Sequence, residues 1–145
     1  MTKYVIVGAS AAGIGATEAI RELDPDGSIT VISDEKYPQY SRPMISDFIV
    51  NKTNFDKMKF RTDDFWIKNK AQTRLDKKAI KLKTSEKTII LEDGEKITYE
   101  KLLIATGGKP LVPKIEGSEK EGVFTFTTIN DAERLSEKIE SSNAK

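Results

Sequence analysis

The sequence contains no cysteine and no histidine. Without cysteine there is no disulfide framework, no redox-active dithiol, no thiolate nucleophile and no thiolate metal site. Without histidine the commonest general base and metal ligand is missing as well. No metal site and no acid–base catalytic residue is read from the chain, so any redox chemistry must come from a bound cofactor. Long apolar runs are also lacking, and no segment has the length of a membrane span. The apolar stretch from Tyr4 to Ala16 is broken by Gly8, Gly13 and Gly15 and passes into a helical pattern at Glu18 and Arg21, which argues against a secretory signal. Charge of one sign does not dominate: the net charge is +1 with both signs interspersed, so neither a nucleic-acid stripe nor an acidic-membrane surface is expected.

What is present suits one soluble globular domain over residues 1–145, with 37% hydrophobic residues for its core and the cytoplasm as its expected setting. Lys3 to Val7 reads as a buried parallel strand. A glycine-rich turn follows, then a helix from Ala11 to Leu23 with Ala12, Ala16, Ala19, Ile20 and Leu23 as its inner face. Asp24-Pro25-Asp26-Gly27 ends that helix, and Ile29 to Ile32 is a second buried strand, giving a βαβ unit. Tyr37 to Pro43 is a loop, Met44 to Val50 a short helix, and Thr62-Asp63-Asp64 caps another over Phe65 to Lys70. Ala79 to Leu82, Thr88 to Leu91 and Ile97 to Tyr99 read as a three-stranded antiparallel meander. Leu102 to Ala105 is again a buried strand, Asn130 to Ile139 a last amphipathic helix, and Ser141 to Lys145 a frayed polar tail. The fold class is therefore α/β: a Rossmann-like parallel sheet flanked by helices, with an inserted three-stranded β-meander.

Four features carry chemistry. Gly8-Ala9-Ser10-Ala11-Ala12-Gly13 lies between a strand and a helix, where the dinucleotide fingerprint G-x-G-x-x-G belongs. Gly8 permits the tight turn, a small second residue lets the backbone approach a pyrophosphate, and Gly13 lets the helix pack on the strand. Ser10 stands where the pattern has its second glycine. Asp34-Glu35 follows the second strand, where a carboxylate can accept from a ribose diol. Tyr40-Ser41-Arg42-Pro43 offers a guanidinium fork to a phosphate, although by composition alone a solvated turn arginine is the better reading. Leu102 to Gly108 ends a strand in small residues, as either a tight exit or a bulky ligand would require. A classical NAD-dependent dehydrogenase shares the glycine turn and the acid. An isolated nucleotide-binding module without turnover is the other open reading. An oligomerisation domain has no feature in its favour.

In this order the features resemble the two-dinucleotide-binding flavoproteins, the pyridine nucleotide-disulfide oxidoreductases, near rubredoxin and ferredoxin reductases, NADH oxidases and NADH-dependent nitrite reductases. The resemblance runs from Tyr4 to Leu135 and includes Tyr40-x-Arg42-Pro43, Leu91-Glu92-Asp93-Gly94, Ala105-Thr106-Gly107-x-x-Pro110 and Gly122 to Phe126. It implies an FAD-binding N-terminal portion of an NAD(P)H-dependent oxidoreductase that passes electrons through FAD to an acceptor. Gly8, Ser10, Ala12 and Gly13 would line the pyrophosphate. Glu35, ahead of Asp34, would hold the adenosine ribose. Arg42 and Pro43 would lie along the pyrophosphate toward the flavin. Ala79 matches a position whose backbone meets the adenine, and Ala105, Thr106 and Gly107 would close the cofactor's other side. NAD(P)H would enter as co-substrate through a further domain absent from this chain, and a homo-oligomer is compatible. Two departures stand out. Met44, Ile45, Ser46 and Asp47 occupy the stretch where peroxide- and disulfide-reducing members carry a cysteine, and Asp47 stands where ferredoxin-type reductases often have lysine.

Overall fold

The computed structural model describes residues 1–37 and 39–142. In chain order the elements are β1 (Lys3–Val7), α1 (Ala11–Leu23), β2 (Ser28–Ile32), α2 (Ile45–Ile49), α3 (Phe55–Met58), α4 (Phe65–Lys68), β3 (Ala71–Arg74), β4 (Ala79–Lys83), β5 (Thr88–Leu91), β6 (Lys96–Thr98), β7 (Lys101–Ile104) and α5 (Ile129–Ser142). The chain divides into two compact units, Met1–Gln39 with Arg61–Gly107, and Tyr40–Phe60 with Gly108–Lys145.

The first unit is built on a parallel four-stranded sheet of order β3-β2-β1-β7. β1 and β2 pair from Lys3↔Ser28 to Val7↔Ile32, and β1 and β7 from Tyr4↔Lys101 to Val7↔Ile104. Paired residues share a sheet face. Val5, Val7, Ile32 and Leu102 therefore point one way, onto Ile89 and Leu91 of the antiparallel meander β4-β5-β6, with Ala79, Ile97 and Tyr99 at its margin. Ile6 points the other way, toward Gly13 of α1. Both faces of β1 are covered, which is why Val5 and Ile6 are adjacent in sequence and both buried. The α/β architecture with its inserted meander is as expected from sequence.

Three readings need correction. The inner face of α1 is Gly13, Ile14 and Thr17, while Ala12 and Ala19 are exposed and Leu23 is 86% exposed. Ala16 and Ile20 are half-buried. Contact with β1 through bare Gly13 sets the helix rotation, and Thr17 is admitted to the core because its hydroxyl donates to the Gly13 carbonyl at 2.8 Å. Second, β7 is not a buried strand. It is the sheet's edge, with Leu103 40% and Ile104 61% exposed. Third, β3 was not anticipated. Its sequence Ala-Gln-Thr-Arg is short and polar, and pairing with β2 from Ile29↔Ala71 to Ile32↔Arg74 makes it a strand.

In the second unit a 3₁₀ turn at Arg42–Met44 opens α2. Arg42 and Pro43 thus depart from the loop read over Tyr37 to Pro43, and Pro38 lies outside the described residues. Asn54 caps the unanticipated α3 by accepting from the Lys57 amide at 3.0 Å. Buried Tyr40 bridges to Lys59, packs on Phe55 at 6.0 Å, and accepts from the Ile129 amide through its hydroxyl at 3.0 Å. α5 starts on a reciprocal cap. The Asp131 amide donates to Thr128 Oγ1 at 3.1 Å, and Asp131 Oδ2 accepts from the Thr128 amide at 3.0 Å. Helix continues through Ser142, past the expected fraying point at Ser141, and residues 143–145 lie outside the described ones. Among the described residues no helix is long and apolar enough to cross a membrane.

Candidate dinucleotide site

Three strand ends converge at Gly8. Its amide donates to the Ile32 carbonyl at 2.8 Å, and the Ala105 amide donates to the Val7 carbonyl at 2.8 Å. Gly8 has φ +123°, and a β-carbon on it would meet Ala105 O at 2.1 Å. A side chain is excluded here by the backbone of β7's exit as well as by conformation. Gly13 is equally constrained, since its β-carbon would lie 1.9 Å from Gly8 O. Gly8 and Gly13 thus bring the first turn of α1 directly over the carboxyl end of β1.

That first turn is open. Ser10 is the N-cap, in extended conformation, and makes no side-chain capping bond. The first amide to find a helical acceptor is that of Ile14, at 3.0 Å from Ser10 O. The amides of Ala11, Ala12 and Gly13 have no partner among the described residues. The first turn carries no acidic residue, Ala11 and Ala12 are exposed, and Ser10 is half-buried. Free amides at the positive end of a helix, rimmed by small residues, form a site for phosphate oxygens. It lies where β2 and β7 flank β1 on opposite sides, the switch point at which open α/β sheets bind ligands. This fits a dinucleotide pyrophosphate.

The acidic pair leaves the same sheet end. Ser33 donates its amide to Arg74 O at 2.9 Å and accepts from Lys77 N at 2.9 Å, while Asp76 N donates to Glu35 O at 3.3 Å. Asp34 is exposed and Glu35 half-buried. Beyond, the Lys77 ammonium pairs with Asp93 at 2.6 Å, which raises the lysine and lowers the carboxyl. On the other side of β1, Ala79 and Thr106 line one apolar cleft of about 200 Å³, together with Val7, Leu82 and Ile104. Gly107 follows at φ +69°, exposed, in a conformation that favours glycine. The first unit therefore brings Gly8, Ser10, Ala12, Gly13, Asp34, Glu35, Ala79, Ala105, Thr106 and Gly107 to one end of its sheet. Val7 and Ile104 joined the cleft unforeseen, although both end strands whose partners end beside them.

Arg42 and Pro43 belong to the second unit. Arg42 donates Nη1 to Thr127 O at 3.0 Å and lies 5.6 Å from the Tyr40 ring centroid. It is thus no simple solvated turn residue, and part of its donor set serves this unit's own fold. Pro43 is exposed and holds the 3₁₀ turn. Among the described residues no cluster of acidic side chains could hold a metal ion.

The family model for pyridine nucleotide-disulphide oxidoreductases matches residues 2–144. The chain belongs to that family. Over 135 residues it is 37% identical to the epsilon subunit of NADH-dependent phenylglyoxylate dehydrogenase of Aromatoleum evansii, covering 92% of this chain and 32% of that protein. It is 32% identical to rubredoxin-NAD(+) reductase of Pseudomonas putida, covering 93% and 35%. The crystal structure of NADH:rubredoxin oxidoreductase from Clostridium acetobutylicum superposes with a TM-score of 0.82 at 29% identity, covering 97% of this chain and 36% of that one. The family member described here thus spans about a third of the length of these relatives. In it, the stretch after Pro43 is helical, with Ile45 buried and Asp47 in the first turn of α2.

Proposed function

We propose that this chain is the FAD-binding segment of an NAD(P)H-dependent flavin oxidoreductase. The observation that carries the reading is the open first turn of α1, with amides at Ala11, Ala12 and Gly13 unpaired among the described residues and held over the end of β1 by the Gly8–Gly13 contact. These amides, with Gly8, Ser10 and Ala12 at the rim, receive the pyrophosphate. Glu35 takes the adenosine ribose, with Asp34 the second choice. Ala79, Ala105, Thr106 and Gly107 receive the adenine and close the other side, and the family pattern adds Arg42 and Pro43. FAD, when bound, supplies the electron-carrying chemistry. The residues of this chain bind and orient it, and none is needed as an acid or base. NAD(P)H and the electron acceptor engage sequence other than this segment, in which no second glycine fingerprint follows Gly13. A cytoplasmic setting belongs to the same reading. So does self-association, favoured by exposed Ile104 and Leu111.

The test is titration of the purified chain with FAD, ADP and NAD. FAD should change its fluorescence on mixing, and FAD and ADP should each raise Tm by mass action. If neither moves Tm at saturation, the assignment fails. If NAD alone does, the site is that of a dehydrogenase-type Rossmann domain.

A further inference from the structure

Ser33 is a buried polar residue that no motif requires. Its Oγ accepts from the Glu35 amide at 3.1 Å and closes a turn over residues 33–35. The turn is anchored at both ends by the β3–β4 connector. Ser33 N donates to Arg74 O and Lys77 N to Ser33 O, both at 2.9 Å, and Asp76 N donates to Glu35 O at 3.3 Å. Asp76, which makes the last contact, has φ +54°, a left-handed conformation that disfavours most side-chain-bearing residues. The peptide before Ser33 is the one whose carbonyl, Ile32 O, holds the Gly8 amide. Ser33 thus stands one peptide from the glycine turn and one hydroxyl from Glu35. Alanine would keep the strand and the connector bonds, and would lose the bond that Ser33 Oγ accepts from the Glu35 amide.

We infer that Ser33 is a positioning residue that orients the Glu35 carboxylate toward a nucleotide ribose. This rests on the proposal that Glu35 is the ribose acceptor. A carboxylate on a fixed turn loses less conformational freedom on binding than one on a free loop. The hydroxyl acts through the backbone of Glu35 and does not touch the ligand.

The experiment compares ADP with 2′,3′-dideoxy-ADP by calorimetry on the wild type, Ser33→Ala, Ser33→Thr, Asp34→Ala and Glu35→Ala. The wild type should prefer ADP. Glu35→Ala should abolish that preference, and Ser33→Ala should shrink it by about two- to tenfold, the scale of one hydrogen bond. Affinity for the dideoxy nucleotide should stay unchanged in both. Ser33→Thr keeps the oxygen and should recover the preference. A general loss of fold in Ser33→Ala would weaken both nucleotides alike and would overturn the inference. If Glu35→Ala abolishes the preference and Ser33→Ala leaves it whole, the inference fails while the ribose assignment stands. If Glu35→Ala leaves the preference whole, or Asp34→Ala alone removes it, the ribose assignment fails and the inference falls with it.

Discussion

A β-carbon on Gly13 would stand 1.9 Å from the carbonyl oxygen of Gly8. No real β-carbon tolerates that distance, and the obstacle is backbone. Gly13→Ala therefore has to push α1 off β1, at a cost of about 1–3 kcal/mol of overpacking. Gly15, two residues on, has nothing among the described residues within 4 Å of its β-carbon position. Gly15→Ala should stabilise by about 0.5–1 kcal/mol, because alanine is the better helix former. Urea unfolding of the two variants should move the midpoint in opposite directions. Like shifts would mean the helix does not rest on Gly8.

Gly8 carries a related correction. From sequence, Gly8→Val is expected to lose cofactor binding more than stability. The structure puts its β-carbon 2.1 Å from Ala105 O, at φ +123°. Valine there should unfold the β1–β7 junction before binding can be measured, with a loss of more than about 3 kcal/mol from clash and backbone strain together. A variant with wild-type Tm and weakened FAD binding would restore the first expectation.

Glu35→Ala should weaken FAD by roughly ten- to a hundredfold, the scale of hydrogen bonds to a charged group. Fluorescence titration at fixed ionic strength reads it. Equal affinities for variant and wild type would remove Glu35 from the site.

Elements with a local signature were legible in the sequence. β1 and α1 have their expected bounds, because an apolar run meets a glycine turn and Asp24-Pro25-Asp26-Gly27 stops the helix. The meander strands are separated by turn residues, and Gly94 at φ +87° occupies the Asp93-Gly94 turn. Features set by tertiary partners were not legible. Alanines and Leu23 suggested one face of α1, but the contact of Gly13 with Gly8 chose another, and glycine carries no hydrophobic signal to announce it. β3 exists because β2 offers a free edge to Ala71–Arg74. β7 reads as buried because its side chains are apolar, and only the sheet order reveals an edge. For the site, the residue types were visible, and the anchoring of Ser33 by the β3–β4 connector was not.

The edge character of β7 separates two isoleucines that the sequence treats alike. Ile6 is fully buried and Ile104 is 61% exposed. Ile6→Ala should cost about 2–5 kcal/mol. Ile104→Ser should change stability by no more than about 0.5 kcal/mol, as surface substitutions do. Denaturant midpoints at equal m-value decide it. A large loss for Ile104→Ser would mean that the end of β7 is covered in solution.

Asp131 contributes to the pH dependence of the second unit. Burial pushes its carboxyl up, but hydrogen bonds from the Thr127 and Thr128 amides and from threonine hydroxyls outweigh this and hold it below the usual aspartate range. The unfolded chain titrates near the ordinary value of about 3.9. Its folded form therefore binds protons less readily than its unfolded form. The cap's stabilisation is present in full above about pH 4 and is lost as pH falls through the lowered folded value. Asp131→Ala removes the acceptor for two backbone amides at the start of α5 and should cost about 0.5–2 kcal/mol at neutral pH. Asp131→Asn keeps an acceptor oxygen but not the charge, so its loss at neutral pH should be smaller, and the cap it retains does not itself titrate. Other carboxylates also protonate in acid, among them Glu18 on Arg61 and Asp24 on the Gly27 amide, and these are common to variant and wild type. The useful quantity is therefore the difference in stability between wild type and Asp131→Asn, followed from pH 7 down to about pH 3. That difference should narrow steadily below about pH 4. A constant gap across the range would mean that the threonine cap does not hold the ionised carboxylate, and that α5 begins on other contacts.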